Sequence, residues 1–271
     1  MPDKIIFYDL VPSKGSKLFY SPNTMKTRLS LLHKGVPFET RAVTYIDTLG
    51  ELKQRTGFER VFSVAGPMIE LPDGTFIMDS WKIAEWLEQT YPEAPSLFLP
   101  DSNTPSDSNS STLVLDLNSS TLVLAKNWAW MFSEGFGSSD SQWSTFVELG
   151  AEPLRQLMDP EVAAYFSSDK KNGEGAWASM LAQDKDSLIS HAKASLLPLD
   201  STLSRTKFLA GNNPGYVDYV AYGRYIMMRS VVSDLAKDVW ENEKVLSVKE
   251  WLRRLEDRFA DGLNEVLSEM P

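Results

Sequence analysis

The chain has no cysteine. That single absence removes disulfides, thiolate metal ligands, CxxC redox chemistry and any cysteine nucleophile, so sulfur chemistry here must use an external thiol. Histidine is almost as scarce: only His33 and His191 occur, far apart in sequence, and a zinc site or histidine-based triad would need an unusual ligand set. No metal is expected. An excess of cations is missing too, since 27 Lys and Arg stand against 37 Asp and Glu, and the net charge of -10 would repel phosphate backbones and anionic membrane surfaces. Nucleic acid is therefore not an expected partner. No apolar run approaches the roughly 18 to 20 residues of a membrane span, and MPDKIIFYDL lacks the apolar core and cleavage site of a signal peptide. The expectation is a cytoplasmic chain that meets no membrane, in which the sequons at Asn109 and Asn118 have no chemical consequence.

What is present describes an ordinary globular protein: 271 residues at 42% hydrophobic and 24% charged are enough for two domains with real cores. Lys4 to Leu10 is a short β-rich run. From Pro22 the apolar residues Met25, Leu29, Leu32 and Val36 recur at helical spacing, and Gly35 with Pro37 ends the pattern. Phe38 to Tyr45 reads as a second strand, whereas the stretch from there to Ala65 is polar and only weakly helical. PMIEL and TFIMD flank the turn Pro72-Asp73-Gly74 and predict a β-hairpin. Asp79-Ser80 then caps a helix with Ile83, Ala84, Leu87 and Tyr91 on one face. The order is βαβ followed by ββα.

From Pro92 the composition turns to Pro, Ser, Asn and Asp, as a linker would. NSSTLVL occurs at Asn109 and again at Asn118, an echo too short to signal a repeat fold. Beyond it the pattern is helical: a Trp-rich segment around Trp128 to Phe132, then Val147 to Phe166, Ala176 to Leu197, Val217 to Ser233 and Val248 to Leu267. These boundaries divide the chain into an α+β domain over residues 1–92, a linker over 93–111 and an all-α domain over 112–271.

Ser21 opens the first helix and raises the question of whether it only caps it. It stands directly before Pro22, a favoured first helical residue, so its hydroxyl belongs beside the unsatisfied backbone N–H groups and the positive end of the helix dipole. On residue pattern alone it is a helix cap.

The domain order, and the phrases SPNTMKTRLSLLHKGVPFE, DGTFIMDSWKIAEWLEQTYP and VAAYFSSDKK, resemble glutathione transferases, and within them the fungal etherase-like FuA class related to bacterial β-etherases. The resemblance is specific in the first domain and looser in the second. It implies a thioredoxin-like domain followed by a helical one, glutathione as co-substrate and a homodimer. It implies that Ser21 donates a hydrogen bond to the glutathione thiolate, with Asn23 assisting. Pro67 corresponds to the family's cis-proline, with Gly66 offering its backbone to the cysteinyl part where a bulkier apolar residue is usual. Asp79 and Ser80 would meet the γ-glutamyl ammonium and carboxylate. Lys53, Gln54, Arg55 or Arg60 would hold the glycyl carboxylate, each being equally readable as a solvated surface charge. In PGYVDYVAYGRY the family's hydroxyl N-cap is replaced by Gly215, and Asp218 remains as a structural cap.

Phe19, Tyr20, Trp128, Trp130 and Phe132 are candidates for an acceptor pocket that would take hydrophobic or aromatic molecules, although aromatics at such spacing are more often core. The implied activity is attack of the glutathione thiolate on an electrophilic carbon; with a β-aryl ether the same attack would expel a phenol. Two other readings stay open: a ligandin that stores aromatic compounds, and a non-catalytic transferase-like regulatory module.

Overall fold

The structure, a computed structural model, describes residues 4–57, 66–98, 123–124, 126–128 and 145–271, without the side chains of Leu49 and Glu51. Strand β1 (Ile5–Leu10) is buried along its whole length, because its run of Ile, Phe, Tyr and Leu is covered on both faces. It pairs in parallel with β2 (Phe38–Val43), Leu10 lying opposite Val43. The crossover between them is helix α1 (Pro22–His33), as a parallel pair requires. Two short helices follow, α2 (Tyr45–Leu49) and α3 (Glu51–Thr56), in the stretch whose pattern was weak. Thr44 and Asp47 explain α2, because together they form a capping box. The expected hairpin is present as β3 (Met68–Glu70) and β4 (Phe76–Met78), and α4 (Ser80–Thr90) follows at once. The sheet order β2-β1-β3-β4, with β1/β3 and β3/β4 antiparallel, makes the first domain thioredoxin-like.

The second domain is helical throughout its described residues: α5 (Thr145–Gln156), α6 (Pro160–Phe166), α7 (Asp169–Asn172), α8 (Ala176–Leu181), α9 (Lys185–Leu203), α10 (Tyr216–Val231), α11 (Ser233–Trp240), α12 (Leu246–Arg258) and α13 (Ala260–Leu267). Three of the expected helices are each split in two. Pro160 starts α6 at its first turn, the Asp184 side chain caps α9 by accepting from Ser187 N at 2.8 Å, and Phe259 leaves helical geometry between α12 and α13. Most of the linker, residues 99–111, lies outside the described residues.

Helix α10 is the axis of the molecule, buried from Tyr216 to Ser230 except at Val217 and Arg229, and it packs along α1. Its start is organised by Asp218. The carboxylate, fully buried, accepts from Gly215 N at 2.9 Å, Leu209 N at 2.7 Å, Ala210 N at 3.1 Å and Trp251 Nε1 at 2.8 Å. Burial pushes this carboxyl up to about 6 even though all four donors favour its ionised form. At the other end of α1, Lys34 pairs with Glu88 of α4 at 2.8 Å, and Glu88 also accepts from Leu97 N at 3.0 Å. That buried pair joins both helices to the start of the linker.

His33, also at this end, makes a short hydrogen bond through Nδ1 to Tyr219 Oη, while its Nε2 is buried without a well-formed hydrogen bond. Burial, reinforced by Lys34 and Arg258 against the opposing pull of Glu88, lowers its pKa to about 4. A histidine whose folded pKa lies below its unfolded value of 6.5 contributes stability above that value and loses it as pH falls through the folded one. Asp218 contributes the opposite slope, so the informative quantity is a difference. Wild type should lose about 2.5 kcal/mol relative to His33→Gln between pH 7.5 and pH 4.5, measured by urea unfolding at each pH. A constant difference would contradict this.

Candidate functional site

Strand register brings the expected site residues to one edge of the sheet. Tyr8 pairs with Met68, and Met68 with Met78, so Asp9, Pro67 and Asp79 lie in a row at the carboxyl end of β1. Asp79 N closes this row by donating to Pro67 O at 2.9 Å. The chain leaving β1 turns back into α1, capped by Ser21, and Thr24 and Arg28 of that helix are brought against Asp9 at this end of β1.

The Ser21 hydroxyl accepts from Thr24 N at 3.4 Å, and its carbonyl accepts from Met25 N at 3.1 Å and from the Thr24 hydroxyl at 3.2 Å. The residue is only 2% exposed, so a charge placed beside its hydroxyl would be poorly screened by water. Asn23, one position past Pro22, is half-buried. Beneath this first turn lies Asp9, fully buried and faced by the Thr24 hydroxyl, which pairs with Arg28 of α1 at 3.0 Å. Burial raises the Asp9 carboxyl, and the Arg28 guanidinium opposes the shift. Neither residue was singled out from sequence.

Helix α4 begins next to this edge. Asp79 is exposed, adopts φ 90° and ψ 126°, and is the one described non-glycine residue with positive φ. Backbone strain of this kind is held only where surroundings enforce it, here by the Asp79 carboxylate accepting from Trp81 N at 2.9 Å and Lys82 N at 3.1 Å. Ser80 is buried, its hydroxyl facing that of Tyr216 at the start of α10. Tyr216 is a neighbour of the edge that sequence did not reveal.

Two expectations are corrected. No peptide bond among the described residues is cis, so Gly66–Pro67 adopts the trans form that X-Pro bonds ordinarily prefer. Phe19 and Tyr20 do not line an open pocket. Successive residues of an extended segment point to opposite sides, and each ring enters a different core cluster: Phe19 packs against the Arg28 guanidinium at 5.0 Å, and Tyr20 is enclosed near Tyr45 and Met227. The Tyr20 hydroxyl is left without a well-formed hydrogen bond.

Gly66 has no steric need to be glycine. A Cβ there would meet Asp79 and Met78 at 3.7 Å, an ordinary contact distance, and its φ lies outside the left-handed region. Gly66→Ala should therefore raise stability by about 0.4 to 1 kcal/mol through the unfolded chain's lost entropy, read as a higher Tm. A lower Tm would refute that.

Of the cations proposed for a glycyl carboxylate, Arg55 is engaged: it pairs with Glu70 at 2.9 Å and donates to Tyr8 Oη at 3.2 Å. Lys53 and Gln54 are exposed on α3. Arg60, Trp130 and Phe132 lie outside the described residues. Trp128 is exposed and lines a cavity of about 250 Å³ with Leu97, Phe98, Leu124, Tyr216 and Val217. Among the described residues no cluster of His, Asp and Glu could hold a metal ion, and no helix is long and apolar enough to cross a membrane.

Comparison with known proteins agrees with this architecture. Residues 18–95 match the family model for the glutathione S-transferase N-terminal domain. Two glutathione S-transferases of Ceriporiopsis subvermispora, both crystallised in complex with glutathione, superpose over 96% of this chain. CsGST83044 does so with a TM-score of 0.65 and 21% identity over 100% of its own length. CsGST63524 gives a TM-score of 0.69 and 21% identity over 98% of its length. The glutathione transferase GSTFuA3 from Phanerochaete chrysosporium gives 0.66 and 20%, covering 96% of this chain and 97% of its own. The chain thus has the glutathione transferase fold, and its residues 18–95 match that family's N-terminal domain.

Proposed function

We propose that the protein is a serine-type glutathione transferase in which Ser21 keeps bound glutathione ionised. The observation that carries this reading is a serine hydroxyl capping α1, whose first turn is held against Asp9 at the end of β1, with Pro67 and the N-cap of α4, Asp79, aligned beside Asp9 by register. A tripeptide with a thiol between two carboxylates matches such an edge. The Ser21 hydroxyl and the α1 dipole face the sulfur, Gly66 offers backbone to the cysteinyl unit, and the exposed Asp79 carboxylate takes the ammonium. Ser80 and the α4 N-terminus take the γ-glutamyl carboxylate, with Asn23 close enough in sequence to assist Ser21. Lys53 and Arg60 are the candidates for the glycyl carboxylate, since Arg55 already has a carboxylate partner.

Because a thiolate is the nucleophile and the free thiol is mostly protonated at neutral pH, one donor in a water-poor site raises the reactive fraction. The sulfur lone pair then forms a bond to an electrophilic carbon of a hydrophobic acceptor, and the leaving group departs with its bonding electrons. When the acceptor is a β-aryl ether, that group is a phenolate. Two copies of the chain would form the working unit. Retention on immobilised glutathione, with elution by free glutathione, is expected; a chain that passes straight through would overturn the proposal.

The aromatic cavity favours a second reading. Its walls combine the rings of Phe98, Trp128 and Tyr216 with aliphatic side chains such as Leu97 and Val217, a lining suited to flat apolar molecules. Storage without turnover would appear as displacement of a fluorescent dye by aromatic compounds that are never conjugated.

A further inference from the structure

We infer that Gly223, in the middle of α10, is a positioning residue for Ser21. The inference rests on the reading of Ser21 as the thiolate donor. An interior helical glycine costs about 1 kcal/mol relative to alanine, so its presence in a 16-residue helix calls for a local reason. Its φ is outside the left-handed region, which leaves space as the reason. A Cβ on Gly223 would lie 2.5 Å from Pro22 O and 3.1 Å from both Pro22 C and Cα. Those are backbone atoms of the first helical residue of α1, and they cannot swing aside as a side-chain tip can.

Gly262 makes a useful contrast. Its Cβ would approach Leu32 Cδ2 at 2.2 Å, but Leu32 is near the far end of α1 and its side chain can rotate. Gly223 alone among the described glycines meets the turn that carries Ser21.

That turn is held between two surfaces. On one side is α10 at Gly223; on the other is Asp9 of β1, which faces Thr24 and pairs with Arg28. Pro22 O cannot yield to a methyl group without carrying the adjoining Ser21 with it. The remaining parts of the site are built on other elements: Pro67 and Asp79 are joined across the ends of β3 and β4, and Ser80 begins α4. A push at Pro22 therefore moves the Ser21 hydroxyl relative to the rest of the site. A displacement approaching 1 Å is enough to spoil a hydrogen bond and to cost up to about a hundredfold in rate.

The test compares Gly223→Ala, Ser21→Ala and Gly262→Ala by the pH dependence of kcat/KM. The Gly223→Ala profile should shift its acid limb upward by about one pH unit, with kcat/KM falling roughly tenfold below that limb and the KM for glutathione changing far less. Gly262→Ala should leave the limb in place. A general loss of packing would lower the amount of active enzyme without moving the limb. If Ser21→Ala shifts the limb and Gly223→Ala does not, this inference fails and the role of Ser21 stands. If Ser21→Ala shifts nothing, the underlying reading fails.

Should Gly223→Ala not fold, hydrogen exchange on the wild type decides. The Met25 amide, which donates to Ser21 O, should exchange as slowly as amides in the middle of α10, whereas exchange as fast as that of a frayed helix end would overturn the inference.

Discussion

Replacing Ser21 with alanine should lower the rate of glutathione conjugation to an activated aryl halide by about 100- to 1,000-fold, the cost of removing one preorganised donor from a developing or resident anion. The fold should survive. The cap bond to Thr24 N is long, at 3.4 Å, so its loss belongs near the low end of the roughly 0.5 to 2 kcal/mol that an N-cap contributes. Ser21→Thr should keep much of the rate, because it keeps a hydroxyl on the same carbon. The two effects are separable in one pair of experiments: conjugation kinetics, and urea unfolding of the same preparations. A large loss of stability with a proportionate loss of active protein would return Ser21 to the role of a cap.

The largest effect on stability is expected at Asp218, which organises the start of α10. Asp218→Ala removes the acceptor of four N–H groups at Gly215, Leu209, Ala210 and Trp251, in a place where water cannot replace it. Each buried donor left without a partner costs about 1 to 3 kcal/mol, and losses within one network do not add fully. A destabilisation of about 4 kcal/mol is expected, against the 5 to 15 kcal/mol by which domains are ordinarily stable. Glutathione-dependent activity per folded molecule should change little. A shift in the urea midpoint corresponding to less than about 1 kcal/mol would show that the segment from Leu209 to Gly215 is held by something else.

Much of this was legible in the residues themselves, and the reasons are local. Helix α1, the hairpin and α4 announce themselves through Pro22, through Pro72-Asp73-Gly74 and through Asp79, each of which constrains its own backbone. Asp218 could be read as a cap because its partner Gly215 is three residues away. Register aligns Asp9, Pro67 and Asp79 at the end of β1, an alignment that sequence could only suggest through resemblance.

The residues that escaped notice act over long separations. Asp9 looks like the end of a strand until Arg28 and Thr24 are brought against it, and Gly223 looks like a weak point in a helix until Pro22 is seen beside it. Phe19 and Tyr20 look like pocket walls because aromatic identity does not say which side of an extended segment each ring faces. Helix α11 was missed because Ser233 follows the end of α10 with no glycine or proline to mark the break.

The central claim, that Ser21 holds glutathione as a thiolate, is open to direct observation. Thiolate sulfur absorbs in the ultraviolet and thiol does not, so the bound co-substrate can be titrated by difference absorbance without any acceptor present. In the wild type the thiol of bound glutathione should ionise at least about one pH unit below that of free glutathione, and in Ser21→Ala it should return towards the free value. Identical titrations of bound glutathione in the two proteins would contradict the account.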